Sequence, residues 1–239
     1  MENNFTGGSR HEAAQRGWEG TDPSLRQYLL RVYNYMAGGL VLTGAVAYVG
    51  ATSGLYVSIA ATPLFWIVLL APLALVILLS FRIERISLGA AQTGFWAYAA
   101  LVGLSLSGIF LVYTGESIAR VFLISAATYG ATSLYGYTTR IDLSRFGSFL
   151  FMGLVGIVIA GLVNLFLAST ALQFTVSVIG VLVFTGLTAF DTQRIRDIYN
   201  AGEDEATAGK KAIMGALALY LDFLNLFLMV LRLLGNRRR

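Results

Sequence analysis

Apolar residues occur along most of this chain in long runs, and short polar stretches separate them. Seven of these runs come close to the roughly 20 residues that an α-helix needs to cross a bilayer. The runs are 32–51, 63–81, 94–113, 121–137, 149–167, 172–190 and 212–231. Because most connections are short, neighbouring helices should be antiparallel. The pattern predicts an all-α integral membrane protein with seven transmembrane helices.

The first 26 residues have a different character. Residues 1–26 are polar and lack hydrophobic periodicity, so we predict a mobile cytoplasmic tail. A cleaved signal peptide does not fit, because the first apolar run starts late and is longer than the hydrophobic region of such a peptide. Residues 27–239 hold every apolar run, and their longest loop is the polar segment NAGEDEATAGKK. We therefore predict a single seven-helix domain after the tail.

Composition agrees with a membrane location. The chain is 56% hydrophobic and 13% charged, whereas a soluble domain carries about a quarter charged residues. It has no cysteine, and its single histidine, His11, lies in the tail. Disulfides, thiolate metal sites and a buried Ser-His-Asp triad are therefore excluded. The net charge of +4 does not indicate nucleic-acid binding, because the basic residues flank the apolar runs as membrane orientation requires.

Basic residues are distributed unevenly between the two sides of the predicted bundle. With a cytoplasmic N-terminus, twelve of the 17 Lys and Arg residues lie on the cytoplasmic side and five lie outside. Cytoplasmic loops carry an excess of Lys and Arg, which favours this orientation. Four of the outside charges, Arg232 and residues 237–239, belong to the C-terminal end and alone argue the opposite way. A re-entrant segment in place of one span would return the C-terminus to the cytoplasm, but we predict seven spans.

Glycines inside the runs, among them Gly153, Gly156, Gly161 and Gly180, predict close helix packing. Small residues let membrane helices approach one another, because packing replaces the hydrophobic effect as the associating force. We assign these glycines no binding or catalytic role.

Two of the apolar runs carry a carboxylate. Asp222 lies near the middle of GALALYLDFLNLFLMVLRLLGN, and Asp191 interrupts LTAFDTQRIRDIY. A charged side chain at bilayer depth costs at least a few kcal/mol. Asp191 lies eight residues before Tyr199, or about 12 Å along a helix, and Asp222 lies eleven residues after Lys211, or about 16 Å. Because the two helices are consecutive and antiparallel, we expect both carboxylates at nearly the same depth.

Such a pair has a definite chemistry. Two carboxylates in a low-dielectric site cannot easily both ionise, so they hold a shared proton over some pH range. Loss of that proton leaves facing negative charges, which favours separation of the helices or a cation between them. The pair is thus a candidate pH switch and a weak, transient cation site, and intramembrane ionisable residues are usually functional.

Polar neighbours offer a structural alternative for both aspartates. Asp222 could be a neutralised carboxylate, and Asp191 could be an interfacial residue paired with Arg194 or Arg196. The side chains that could give polar support are Gln193, Tyr220 and Asn225.

Three segments carry a family resemblance. SLYGYTTRIDLSRFG (133–147), FTGLTAFDTQRI (184–195) and GALALYLDFLNLF (215–227), the last followed by LRLLGNRR, occur in this order. They resemble the bacterial branch of the Bax-inhibitor-1-like (transmembrane Bax inhibitor motif) family, from about Leu25 to the C-terminus. The resemblance implies a bacterial inner-membrane protein in which six helices surround a central last helix. It also implies a pH-sensitive calcium leak controlled by an aspartate pair, which Asp191 and Asp222 match.

The resemblance further implies a latch between the first of these aspartates and an arginine near the end of the second helix. The corresponding segment, LLSFRIERIS, offers Arg82 and Arg85, with Glu84 between them as a competitor for either. Calcium would be a transported ion bound weakly by Asp191 and Asp222, because tight calcium sites use six to eight oxygens. No tightly bound cofactor is implied.

Two other functions remain open. An intramembrane aspartyl protease also uses two aspartates on adjacent helices, but the glycine-rich GxGD context is absent, since Asp222 follows LYL; we predict no enzyme. Some bacterial members of the resembled family act as non-catalytic regulators of a membrane-anchored ATP-dependent protease through the N-terminal tail. Residues 1–26 would suit such a contact.

Overall fold

The computed structural model describes residues 23–238, and these form a bundle of α-helices. The predicted tail, residues 1–26, lies outside this part of the chain except for its last four residues, which form the first turn of α1. The helices are α1 (Pro23–Thr52), α2 (Leu55–Ala60), α3 (Leu64–Arg82), α4 (Leu88–Leu106), α5 (Gly108–Val112), α6 (Gly115–Thr138), α7 (Gly147–Leu167), α8 (Thr170–Asp197) and α9 (Glu205–Leu234). A 3-10 turn, Leu143–Phe146, precedes α7.

Short polar side chains begin four of the helices. The side chain at each of these positions accepts a hydrogen bond from the backbone N–H three residues later, which satisfies a group that the helix leaves unpaired. These residues are Ser87, Thr114, Ser169 and Asp204, the N-caps of α4, α6, α8 and α9.

Six segments in the described part of the chain are long and apolar enough to cross a membrane. They are Pro23–Thr52, Leu64–Arg82, Leu88–Val112, Leu143–Leu167, Thr170–Asp197 and Glu205–Leu234. Large apolar side chains cover the outside of the bundle, including Phe81 (83% exposed), Leu165 (77%) and Phe166 (91%). Such a surface suits lipid rather than water. The fourth predicted run, 121–137, corresponds to α6, which is not among the six because Ser, Thr, Gly and Tyr dilute its apolar residues.

Polar contacts define two ends of the bundle. At one end, which we call the N-terminal end, the Arg31 guanidinium lies 3.7 Å from the Glu205 carboxylate, and Lys210 Nζ donates to the Glu84 carbonyl at 3.2 Å. At the opposite, C-terminal end, the last described residues pack against the start of α6. There the N–H of Thr114 donates to the Asn236 carbonyl at 3.1 Å.

The last helix has the most buried surface of the six candidate spans. In its most apolar window 72% of the residues are buried, against 11–33% in the other five. It packs against α1, α4, α6 and α8, with its longest contact along α8. Tyr220, which is fully buried, shares a 2.6 Å hydrogen bond with the hydroxyl of Thr43 on α1. Helices α8 and α9 are thus held as an antiparallel pair inside the bundle.

Candidate functional site

The two intramembrane aspartates meet between α8 and α9. The carboxyl groups of Asp191 and Asp222 interact directly through a side-chain hydrogen bond. Lys211 Nζ donates to the Ile198 carbonyl at 3.2 Å, which fixes the register of the two helices at the N-terminal end. Counted from that contact, the two aspartates lie at similar depths, and the sequence-based expectation of a facing pair is therefore matched by the geometry.

The environments of the two carboxyl groups differ. Asp222 is 5% exposed, and its Oδ2 atom has no hydrogen-bond partner among the described residues. Asp191 is half-buried, and the positive charge of Arg194, one turn further along α8, acts on it. A buried, unpartnered carboxyl oxygen is costly. The pair is therefore poised to hold a proton or a cation.

Tyrosine and hydroxyl side chains from α1 and α6 surround the pair. Tyr129 lies close enough to feel the charge of both carboxyls, and its hydroxyl donates to Met36 Sδ at 3.4 Å. Beside it, the hydroxyls of Tyr33 and Ser133 share a 2.5 Å hydrogen bond. Ser133 Oγ shares a second one, of 3.1 Å, with the hydroxyl of Thr192, the residue after Asp191. A chain of hydroxyls thus joins α1, α6 and α8 next to the carboxyl pair.

The residues predicted as polar support serve other parts of the bundle. Asn225 Nδ2 donates to the Leu221 carbonyl of its own helix at 2.8 Å. Gln193 fastens the loop after α6 to α8, because its amide accepts from the Leu143 N–H at 2.7 Å and donates to the Ile141 carbonyl at 2.8 Å. Sequence proximity to an aspartate did not identify what these amides contact, because each points away from the pair around its helix.

The predicted arginine latch is not formed. Arg82 and Arg85 are both exposed, and neither belongs to any of the ion pairs found in residues 23–238. Their loop lies against Lys210 at the N-terminal end, twelve residues before Asp222, or roughly 18 Å along α9. The structure therefore does not bring either arginine to the depth of the carboxyl pair.

Surface ion pairing of Asp191 is also not formed. Arg196 is committed elsewhere, since its Nε lies 2.9 Å from the Asp197 carboxylate and its Nη1 donates to the Tyr137 carbonyl at 2.5 Å. Arg194 makes no ion pair in the described part of the chain and acts on Asp191 only through its charge.

The hydroxyl chain is the feature that the sequence analysis missed. The buried face of α6 consists of Ser117, Val121, Ser125, Tyr129 and Ser133. These residues recur every fourth position, the spacing of one helix face. That repeat was available as a signal for a polar, partner-facing stripe.

The donor set at the pair is small. Residues 23–238 contain no group of three or more His, Cys, Asp or Glu side chains that could hold a metal ion together. Two carboxylates with hydroxyl and backbone oxygens can hold a hard cation only weakly, because calcium in a tight site takes six to eight oxygens.

An all-helical membrane protein with a carboxyl pair between its last two long helices is the class that fold and site define. The chain belongs to the Bax-inhibitor-1-like family, since the family model described as inhibitor of apoptosis-promoting Bax1 matches residues 25–239. It is 50% identical over 221 residues to the inner membrane protein YbhL of Escherichia coli (strain K12), covering 90% of this chain and 93% of that protein. It is 48% identical over 218 residues to a protein of Rickettsia prowazekii, covering 91% and 92% of the two chains. A Caulobacter vibrioides protein is 41% identical over 248 residues, covering 99% of each.

Proposed function

We propose that this chain is a seven-span inner-membrane protein that leaks calcium down its gradient, with Asp191 and Asp222 as a pH-sensitive gate. The observation that carries the proposal is the direct contact of two intramembrane carboxyl groups, one of which has a buried oxygen without a partner among the described residues. Such residues within a membrane mark ion or proton pathways.

Contacts at the two ends of α6 support a seventh span. Its first residues lie at the C-terminal end, where Asn236 N–H donates to Ser117 Oγ at 2.8 Å. Its last turn lies at the N-terminal end, where Arg196 donates to the Tyr137 carbonyl. A helix of 24 residues is about 36 Å long, enough to cross the hydrocarbon core. With α6 included, the last helix lies at the centre of six others and the C-terminus lies outside the cell.

The location follows from the relatives and from charge. The Escherichia coli relative is named an inner membrane protein, and its similarity extends over nearly the whole chain. The N-terminal end holds most of the basic loop residues, including Arg82, Arg85, Arg140 and Arg145. The positive-inside rule therefore puts that end, and the N-terminus with it, in the cytoplasm.

The gate works through one shared proton. In the closed state, the carboxyls of Asp191 and Asp222 hold a proton between them and keep α8 and α9 together. When the proton leaves, two negative charges face each other in a low dielectric, where their repulsion is strong. Separation of the helices or entry of a cation relieves that repulsion. Flux should therefore rise with pH.

Weak binding fits conduction. A path that conducts needs sites that are favourable enough to enter and weak enough to leave. The two carboxylates supply charge but few ligands, so calcium is cargo here and not a resident cofactor. No step of this function breaks a bond, and we propose a non-catalytic protein.

The test is calcium flux into dye-loaded proteoliposomes between pH 5 and 8. Asp191→Asn and Asp222→Asn should each change the rate and flatten its pH dependence. Asp197→Asn is the matched control, because Asp197 is an exposed carboxylate on the same helix and should leave the profile unchanged. Flux that is absent from the parent, or indifferent to both pair substitutions, would sink the channel proposal. In that case regulation of a membrane-anchored protease through the tail becomes the leading function.

A further inference from the structure

A polar cavity lies beyond the carboxyl pair at the C-terminal end of the bundle. It occupies about 510 Å³ between α7, α8 and α9. Most of its wall is aliphatic, as expected near lipid, but four polar side chains also line it: Asn164, Gln173, Asn225 and Arg232.

The cavity is aligned with Asp222 along one face of α9. Asn225 follows Asp222 by three residues, about 4.5 Å along the helix, and therefore lies on the same face. Arg232 lies seven residues further, about 10 Å beyond Asn225. On α8, Phe184 lines the cavity and precedes Asp191 by seven residues, again on the same face. Phe184 is 3% exposed and separates the cavity from the carboxyl pair.

The polar side chains leave hydrogen-bonding groups free for water. Asn225 uses its amide nitrogen on the Leu221 carbonyl, and none of the hydrogen bonds found between described residues uses its oxygen. Asn164 uses its oxygen to accept from the Ser169 N–H at 3.0 Å, which leaves its amide nitrogen. A site that is roomy and offers several polar partners holds water, whereas an apolar cavity stays dry. Amide oxygens are also ligands that hard cations prefer.

Arg232 gives the cavity a positive mouth. It is exposed, and it is in none of the ion pairs formed by residues 23–238. An uncompensated charge at a narrow, low-dielectric entrance repels cations and attracts anions.

We propose that this cavity is a water-filled outer vestibule through which cations reach Asp222, and that the charge of Arg232 limits their entry. The role in cation passage rests on the proposed leak function. The existence of the vestibule and the electrostatic effect of Arg232 do not, and they are tested separately.

Cysteine accessibility tests the vestibule, because the chain has no cysteine of its own. Asn225→Cys and Leu226→Cys place a thiol at almost the same depth of α9, in the cavity wall and in the fully buried core respectively. Membrane-impermeant methanethiosulfonates, cationic (MTSET) or anionic (MTSES), are added to the outer face of intact cells or to sealed inside-out vesicles. The Asn225→Cys variant should react from the outer face only, and the Leu226→Cys variant should not react. Equal inertness of the two variants, or labelling of Asn225→Cys only from the inner face, overturns the vestibule.

Arg232→Gln in the Asn225→Cys background tests the charge. MTSET should react about two- to tenfold faster and MTSES correspondingly slower, as expected for one charge about 10 Å away in a partly aqueous site. Arg237→Gln is the control, since Arg237 is an exposed arginine near the same end that does not line the cavity. Unchanged reagent rates in Arg232→Gln overturn its role.

Calcium flux then distinguishes this inference from the function on which it rests. Arg232→Gln in the chain without added cysteine should raise flux several-fold. Charge-dependent labelling of the Asn225→Cys thiol without calcium flux in any variant leaves the vestibule standing and refutes the leak.

Discussion

The tightest contact between α6 and α8 occurs at Gly136, and adding one methyl group there should loosen the packing around Asp191. A Cβ at Gly136 would lie 2.8 Å from Ala189 Cα and 2.9 Å from its carbonyl carbon. Both atoms belong to the backbone, so no side chain can rotate away. Ordinary contact begins at 3.4 Å, and going from 2.8 to 3.4 Å requires the helices to separate by about 0.6 Å.

The cost of this overpacking can be isolated with a matched glycine. Inserting a methyl group into a packed site costs about 1–3 kcal/mol, whereas replacing glycine by alanine within a helix gains about 1 kcal/mol. Gly130 lies on the same helix with open space around it, so Gly130→Ala has only the gain. Since the gain cancels between the two variants, Gly136→Ala should be less stable than Gly130→Ala by about 1–3 kcal/mol.

Thermal unfolding in detergent micelles measures that difference. At about 2–4 °C per kcal/mol for a chain of this size, Gly136→Ala should melt about 2–12 °C below Gly130→Ala. Because Ala189 lies only two residues before Asp191, the same substitution should also disturb the pH profile of calcium flux. Equal melting temperatures for the two variants would show that α6 and α8 are not in backbone contact, and would refute the packing on which the site depends.

Three further perturbations separate the parts of the molecule. Gln193→Ala removes both hydrogen bonds that fasten the loop after α6; each buried group left unpaired costs about 1–3 kcal/mol, so the melting temperature should fall clearly, and an unchanged value contradicts this role. The Thr207 hydroxyl and N–H hold the pKa of Asp204 below its usual 3.8, so the stability that the carboxylate gives α9 persists above pH 3.8 and is lost as pH falls further below it. Asp204→Ala should therefore melt below Asp204→Asn at pH 7, and the deficit of Asp204→Ala relative to the parent should shrink on acidification. Deleting residues 1–22 should leave proteoliposome calcium flux and its pH dependence intact, whereas loss of flux would tie the tail to the gate.

The placement of the carboxyl pair could be predicted because it depends on few quantities. A helix rises by a fixed length per residue, and consecutive spans joined by a short loop run antiparallel, so counting from the shared loop gives both depths. Helix ends were less accessible. The first run was predicted to begin at residue 32, but α1 begins at Pro23, because the preceding turns carry Arg26 and Arg31 and a hydropathy pattern recognises only their apolar partners.

Contacts that depend on the rotation of a helix could not be predicted from the sequence. Glycines illustrate this. Gly153 packs against Val183, as expected for a packing residue, but Gly156 and Gly161 on the same helix face open space. The same limit applies to Asn225, whose distance from Asp222 along the chain was known while the direction of its amide was not. Rotation is set by packing against neighbouring helices, which no single run contains.

The weak apolar character of α6 and the chemistry of the site have one cause. Its buried face carries Ser125, Tyr129 and Ser133, and Tyr129 and Ser133 lie in the hydroxyl cluster beside the carboxyl pair. Polar residues are tolerated at bilayer depth when they face the bundle interior and not lipid. The lipid-facing side of α6 stays apolar, with Leu123 (67% exposed) and Leu134 (62%). The mean hydropathy of the whole helix is low because the half that faces Asp191 and Asp222 is polar. A span that borders an intramembrane ionisable site is therefore the one that an average over the whole helix is most prone to miss.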